Sequence, residues 1–417
     1  MLQLKKEIKS GGEGKIYTIS GNSDLVAKVY TDPKPDYENK LRCMLDNPPV
    51  DPDRSNKHIS IAWPRELAYS HKPPSKVTTG DAISLHSDST ARHFIGYVMS
   101  RVHHSLSLLT VYNPRERKKY CSDFTGPYLY QTACNIALTM AALHDKGYCI
   151  GDVSDQNILV TRTALITFID TDSFQVTEPG GTVYRCPVGT PDYTAPEIID
   201  KDFKSFNRTI AHDNFGLGVL IFQLLMEGNH PFRSKWLGTG EPPPMKEKIL
   251  RGLFPYNRSN FLLVEPPQGM ALTHLSSDVV VLMERCFIQG HNQPYERPGP
   301  KEWADALSEG EKQSSKPWRK SVNGASINGT KDSGAKRWWR VVVVVLVLGV
   351  LTLGVVDVWY AFQNRQVEEE LKALKKYEKA RDSGLQALKD YIERYPNSPH
   401  ISEAKRWIQF LEEQGVD

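Results

Sequence analysis

The chain has 417 residues, 40% hydrophobic and 24% charged, a balance that excludes disorder of the whole and leaves room for one large domain and a smaller appendage. The formal charge of +3 is too small a bias to indicate nucleic-acid binding. Six cysteines, Cys43, Cys121, Cys134, Cys149, Cys186 and Cys286, show no CxxC pair and no metal-ligand spacing, so they read as reduced thiols in a cytosolic compartment.

The start, MLQLKKEIKSGGEG, lacks the apolar core that a secretory signal needs. KSGGEGKIYTI then reads as strand, glycine-rich turn and strand, and LVAKVY as a third strand carrying Lys28. Phosphate groups need backbone N–H donors at close range, which Gly11 and Gly14 permit, and a cation to hold them. A lysine inside an otherwise apolar strand also needs an anionic partner. YENKLRCML, with Glu38, reads as a short amphipathic helix, AWPRELAY, with Glu66, as the following strand, and FIGYVMSRV as a further strand leading into a connection through Ser100 and Val102.

CIGDVSDQNILV places a carboxylate and an amide, Asp152 and Asn157, five residues apart ahead of the apolar ILV. Asp152 can orient the nucleophile and accept its proton, and Asn157 offers a second oxygen ligand close by. Asp170 follows in LITFIDTDSFQV, with Asp172 beside it, and hard oxygens of this kind suit magnesium. After GTPDYTAPE, Gly189 to Glu197, comes the apolar run DNFGLGVLIFQLLMEGNHPF, the centre of a core, with Asp213 at its start as a candidate N-cap. YERPGP carries Arg297, and the helical stretch KEWADAL ends the run of dense secondary structure.

In their order and intervals these motifs resemble those of eukaryotic-type Ser/Thr protein kinases, the bacterial Hanks type, over residues 1 to 307. The resemblance implies an α+β, two-lobed fold, ATP and magnesium as cofactors, and a protein substrate presented at GTPDYTAPE. Gly11, Gly14 and Ile16 match the second and third glycines and the valine of the GxGxxGxV loop, with Lys9 in the first glycine's place. Lys28 matches the phosphate-binding lysine, whose helix partner is Glu38 in preference to Glu66. Met99 would line the back of the adenine site and Ser100 to Val102 would offer it backbone hydrogen bonds. Asp152 falls at the catalytic base and Asn157 and Asp170 at the metal ligands. Asp172 replaces a glycine, so either aspartate can serve as the main ligand. Glu197 and Arg297 are implied as a structural ion pair, and Asp213 as a brace on the catalytic loop.

Two departures bear on activity. Gly151 stands where an arginine usually couples the catalytic loop to a phosphorylated activation loop, which implies an enzyme that does not depend on that phosphate. Ser154 stands where a lysine usually contacts the transferred phosphate. A nucleotide-binding pseudokinase scaffold is therefore the competing expectation.

Residues 308 to 337 turn to Ser, Gly, Asn and Lys and read as a flexible linker. Trp338 to Phe362 is almost uninterruptedly apolar and bracketed by Trp338, Trp339, Trp359 and Tyr360, the pattern of a single transmembrane helix. Lys331, Lys336, Arg337 and Arg340 crowd its N-terminal side, which places the N-terminal domain in the cytoplasm at the cell membrane. Residues 363 to 417 would form a small all-α extracytoplasmic segment. In it Val367, Leu371, Leu374, Leu385, Leu388 and Ile392 keep a seven-residue repeat suited to pairing with a second copy, and the break at YPNSP gives a weak tetratricopeptide-like resemblance.

Overall fold

A computed structural model describes residues 1–87, 93–314 and 385–395, with the single positions Lys405 and Ile408. The chain divides into two compact units, Met1–Lys320 and Ser321–Asp417. The first has two lobes.

The small lobe is built on strands β1 (Leu2–Ser10), β2 (Gly14–Ile19), β3 (Asn22–Tyr30), β4 (Pro64–Ser70), β5 (Ala82–Ile83) and β6 (His93–Ser100). They form one sheet in the order β4-β6-β3-β2-β1-β5. The two-residue period of a strand decides what each face of β3 does. Ala27 and Val29 pack into a small apolar cluster with Leu4, Tyr17, Ile95 and Val98. Val26 and Tyr30 join the large core on the opposite face, and that is the side on which Lys28 lies. Helix α1 (Pro35–Asp46) follows β3, opened by a proline in its first turn and by Asp36 and Glu38, which complement the helix dipole. Its buried face is Lys40, Leu41 and Met44.

The large lobe begins with β7 (Ser105–Ser107), α2 (Leu108–Tyr112), α3 (Pro114–Tyr120) and α4 (Gly126–Asp145). β7, β8 (Ile158–Thr161) and β9 (Ile166–Phe168) make a three-stranded sheet. The loop expected from Ser173 to Val188 contains a short hairpin of β10 (Val176–Thr177) and β11 (Val183–Tyr184). At the centre lies α5 (Ile210–Leu225), buried from Asp213 to Leu225 as its apolar sequence requires. Its cap is Thr209, whose backbone N–H donates to His212 Nδ1 at 2.8 Å. Asp213 sits inside the first turn and is not the N-cap.

The remaining elements are β12 (Lys235–Trp236), α6 (Met245–Leu250), β13 (Val264–Glu265), α7 (Ser277–Glu284), α8 (Gly290–Asn292) and α9 (Pro300–Ser314). α9 packs along α4, with Trp303 and Leu307 fully buried. It continues to Ser314, past the boundary expected at 307.

In the second unit, α10 (Leu385–Arg394) falls within the expected outer helix. The expected transmembrane segment 338–362 and the part of the expected all-α segment beyond Tyr395 lie outside the described residues, the single positions Lys405 and Ile408 excepted. Among the described residues no helix is long and apolar enough to cross a membrane.

Candidate active site

β1 and β2 are joined by a tight turn in which Gly11 N–H donates to Gly14 O at 2.9 Å. Gly14 lies against β3 so closely that a Cβ there would be 2.4 Å from Val29 O. Ile16 is half-buried against the large core. These positions set the loop above Lys28, which pairs in register with Ile16 on one side and Tyr97 on the other.

Lys28 Nζ donates to Asp170 Oδ1 at 2.7 Å, and to Asp172 at 2.8 Å (Oδ1) and 2.7 Å (Oδ2). Burial opposes its ammonium, but the charges of Asp172 and Asp170 outweigh that cost and hold Lys28 above its ordinary value. Asp172 also accepts from Tyr30 Oη at 2.7 Å and Tyr97 Oη at 2.8 Å. Burial pushes its carboxyl up, yet Lys28 and the two hydroxyls pull harder and keep it below the usual carboxylate range. Burial, reinforced by the Asp172 charge, holds both tyrosines well above their ordinary value, so they remain donors.

The glutamate expected beside Lys28 is elsewhere. Glu38 Oε1 accepts from Arg42 at 2.6 Å and from Tyr69 Oη at 2.8 Å, and Glu66 is exposed on β4. On α1 the inward-facing polar residue is Lys40 rather than Glu38, and its Nζ donates to the backbone carbonyl of Asp172 at 2.6 Å. Burial lowers the Lys40 ammonium below its ordinary value.

Asp170 and Asp172 differ in what they can still bind. The Asp172 side chain is 3% exposed with both oxygens engaged, whereas that of Asp170 is 43% exposed and gives Lys28 only Oδ1. Asp170 also adopts a left-handed backbone, φ 59°, uncommon outside glycine and most tolerable for Asp and Asn. Asn157 points its amide nitrogen at Asp152, donating to its carbonyl at 3.0 Å and to Oδ2 at 3.2 Å, which leaves the amide oxygen to face away. Asp170 Oδ2, beside Lys28, and Asn157 Oδ1 are therefore hard oxygens left without a protein partner. Among the described residues no cluster of three or more His, Cys, Asp or Glu could hold a metal unaided. Two oxygens fit magnesium that takes its other ligands from phosphate and water.

Asp152 is fixed from both sides: besides Asn157, Thr190 Oγ1 of the GTPDY segment donates to Asp152 Oδ1 at 2.8 Å. Below it, Asp213 holds the loop by accepting from Ile150 N–H at 2.7 Å and Gly151 N–H at 2.9 Å, and its Oδ2 lies 3.1 Å from His144 Nε2. Glu197 and Arg297 form a two-pronged pair at 2.6 and 2.7 Å, and the guanidinium also donates to Gly290 and Ala211 carbonyls. At the connection between lobes, Arg101 N–H is taken by Asp24 O at 2.8 Å and Ser100 Oγ is reached by Arg65 at 3.4 Å, with Met99 buried behind. Ser100 and Val102, the positions against which the resemblance puts adenine, are both half-buried on this connection. Ser154 is 1% exposed and its hydroxyl has no partner, so it does not project toward a substrate phosphate as a lysine would.

Arg208, unnoticed in the sequence, takes up the room beside Gly151. Gly151 has φ 77°. A Cβ there would meet Cys186 Cβ at 2.7 Å and Arg208 Nη1 at 2.8 Å. The Arg208 guanidinium lies 3.7 Å over the Phe203 ring and donates to Val188 O, while its backbone N–H and carbonyl are both bonded by the Gln175 side chain, each at 2.9 Å. One buried arginine thereby ties both ends of the segment 175–188 to the base of α5.

A two-lobed scaffold with a glycine-rich turn, a buried strand lysine, a braced Asp152 and free metal-type oxygens defines a phosphotransferase-like protein. The family model for the protein kinase domain matches residues 93–306, and the chain belongs to that family. It is 31% identical over 308 residues to protein kinase YegI of Escherichia coli K12, covering 73% of this chain and 44% of YegI. It is 35% identical over 133 residues to a cAMP-dependent protein kinase catalytic subunit of Arthrobotrys oligospora, covering 32% of this chain and 23% of that protein. The chain's match thus spans less than half the length of the first of these relatives. The family match begins at His93, beyond Lys28 and α1, the part in which the lysine's partner departs from expectation.

Proposed function

We propose that this chain transfers the terminal phosphate of ATP to serine or threonine hydroxyls of proteins, in a signalling role at a membrane. The observation that carries the reading is the double orientation of Asp152 by Thr190 and Asn157. A carboxylate held on both oxygens beside a peptide-facing segment is placed to accept a proton from an incoming hydroxyl. Lys28 and the turn through Gly11 and Gly14 would hold the nucleotide phosphates, Ser100 and Val102 the adenine edge, and Asp170 and Asn157 magnesium. Bound there, magnesium supplies positive charge against the phosphate oxygens. As the acceptor oxygen bonds to the terminal phosphorus and the bond to ADP breaks, Asp152 takes the hydroxyl proton.

Thr190, bonded to Asp152, supports a serine or threonine acceptor over tyrosine. The apolar run 338–362 supports anchoring by one transmembrane helix with the catalytic domain in the cytoplasm, and the seven-residue repeat after it supports a homodimer. A second reading, a nucleotide-binding scaffold without transfer, is favoured by Ser154 alone. Purified full chain with labelled ATP, magnesium and a generic protein acceptor separates the two: phosphoserine or phosphothreonine is expected, and no incorporation would leave only the scaffold.

A further inference from the structure

We propose that Asp172 is the positioning residue for Lys28, supplying from the segment after β9 the carboxylate that α1 does not provide. The inference rests on the ATP-binding part of the kinase reading and names the part of the site that sets the lysine.

The placement is built from three elements. Tyr30 shares a face of β3 with Lys28, Tyr97 is the register partner of Lys28 on β6, and both hydroxyls donate to Asp172. With the two contacts from Lys28 these make four hydrogen bonds to two oxygens, the whole acceptor capacity of a carboxylate. Asp172 therefore has nothing left for a metal, and its carboxylate holds Lys28 in place. Asp170, by contrast, is half-exposed and keeps an oxygen free. When nucleotide enters, Lys28 can leave Asp170 for phosphate while remaining on Asp172. Helix α1 acts at one remove, through Lys40 on the Asp172 carbonyl. Its only inward charge is positive, so its carboxylates have no part in setting Lys28.

The test uses the full chain and ATP as probe, titrated calorimetrically with EDTA and with magnesium, alongside steady-state kinetics. Asp172→Asn should weaken metal-free ATP binding by about tenfold or more, since the lysine loses its buried anchor. Asp170→Asn should leave metal-free binding nearly intact and abolish the gain from magnesium. Glu38→Gln should alter neither. Metal-free ATP affinity unchanged in Asp172→Asn, or lost in Glu38→Gln, overturns the proposal. If Asp172→Asn does not fold, the carboxylate can be rebuilt from α1 as Lys40→Glu with Asp172→Gly, because the Lys40 side chain already reaches the Asp172 backbone at 2.6 Å. ATP binding by that double variant supports the proposal and a folded double variant without it does not; Glu38→Gln decides independently of both. Wild type that binds ATP but transfers no phosphate sinks the kinase reading and leaves this one standing.

Discussion

The guanidinium of Arg208 occupies the room that a side chain at Gly151 would need, with Nη1 2.8 Å from where a Cβ would sit. The absent arginine of the catalytic loop and the arginine before α5 are thus two solutions for one volume. In this chain the segment 175–188 is held by a fixed cation bonded to Val188 O and packed on Phe203. Activity should therefore survive complete dephosphorylation of the protein, measured as initial rates before and after phosphatase treatment. Arg208→Ala should reduce kcat by about tenfold or more through misplacement of that segment. Gly151→Ala adds about 1–2 kcal/mol of left-handed strain to a steric clash, and a melt unchanged from wild type would contradict this account.

Asp152→Asn keeps the size of the side chain and the bond from Thr190 to Oδ1 but removes the oxygen that accepts from Asn157 Nδ2 and the proton acceptor. Phosphate incorporation should fall by about 10²–10⁴-fold, while the affinity for ATP, measured calorimetrically, stays near that of wild type. A rate within a factor of a few of wild type would remove Asp152 from the chemistry.

Arg297 has a fully buried guanidinium (0% exposed) and spends it on Glu197 and two carbonyls. Arg297→Met should take from Glu197 its bidentate partner and from the Gly290 and Ala211 carbonyls their donor, costing about 1–3 kcal/mol of folding free energy, read from urea unfolding. The double variant Arg297→Met with Glu197→Gln should recover part of that loss, because the stranded charge is gone.

Stability should also depend on mild acid. His230 is buried, its Nε2 bonded to Asp192 O at 2.8 Å and its Nδ1 accepting from Phe232 N–H at 3.2 Å. Burial lowers its pKa from the ordinary 6.5, and burial lowers that of His212 as well, against the pull of Glu197. Both bind protons more readily in the unfolded chain, so stability is full above about pH 6.5 and declines as pH falls toward their folded values. The slope approaches about 1.4 kcal/mol per pH unit for each histidine. Urea melts from pH 7.5 to 5.5 should show it, and His230→Gln should flatten the profile; a level wild-type profile would refute the assignment.

Much of the scaffold was legible because it depends on local signals. The alternation of LVAKVY, the glycine turn before it and the apolar length of α5 each follow from strand or helix periodicity. The two acids after β9 and the lysine on β3 were also visible, but not which acid faces which cation. That choice depends on Tyr30 and Tyr97, which reach Asp172 from 142 and 75 residues away in sequence. Tyr30, two residues after Lys28 and so on the same strand face, was the one available hint of a polar cluster there. On α1 the favoured partner followed from the presence of a glutamate, whereas the helix turns Lys40 inward and leaves Glu38 at its edge with Arg42 and Tyr69. Arg208 carried no local signal, since its role is defined by the emptiness at Gly151.

The glycine-rich turn divides into one constrained position and two unconstrained ones. A methyl group at Gly14 would strike the β3 backbone, whereas at Gly12 it would meet nothing within 4 Å and at Gly11 only Gly14 O at 3.8 Å. A library randomised across this turn and selected for folding alone would accordingly enrich diverse side chains at the first two sites and glycine alone at the third. Those open sites give a place to install a reporter group or a reactive handle on the turn without disturbing the sheet.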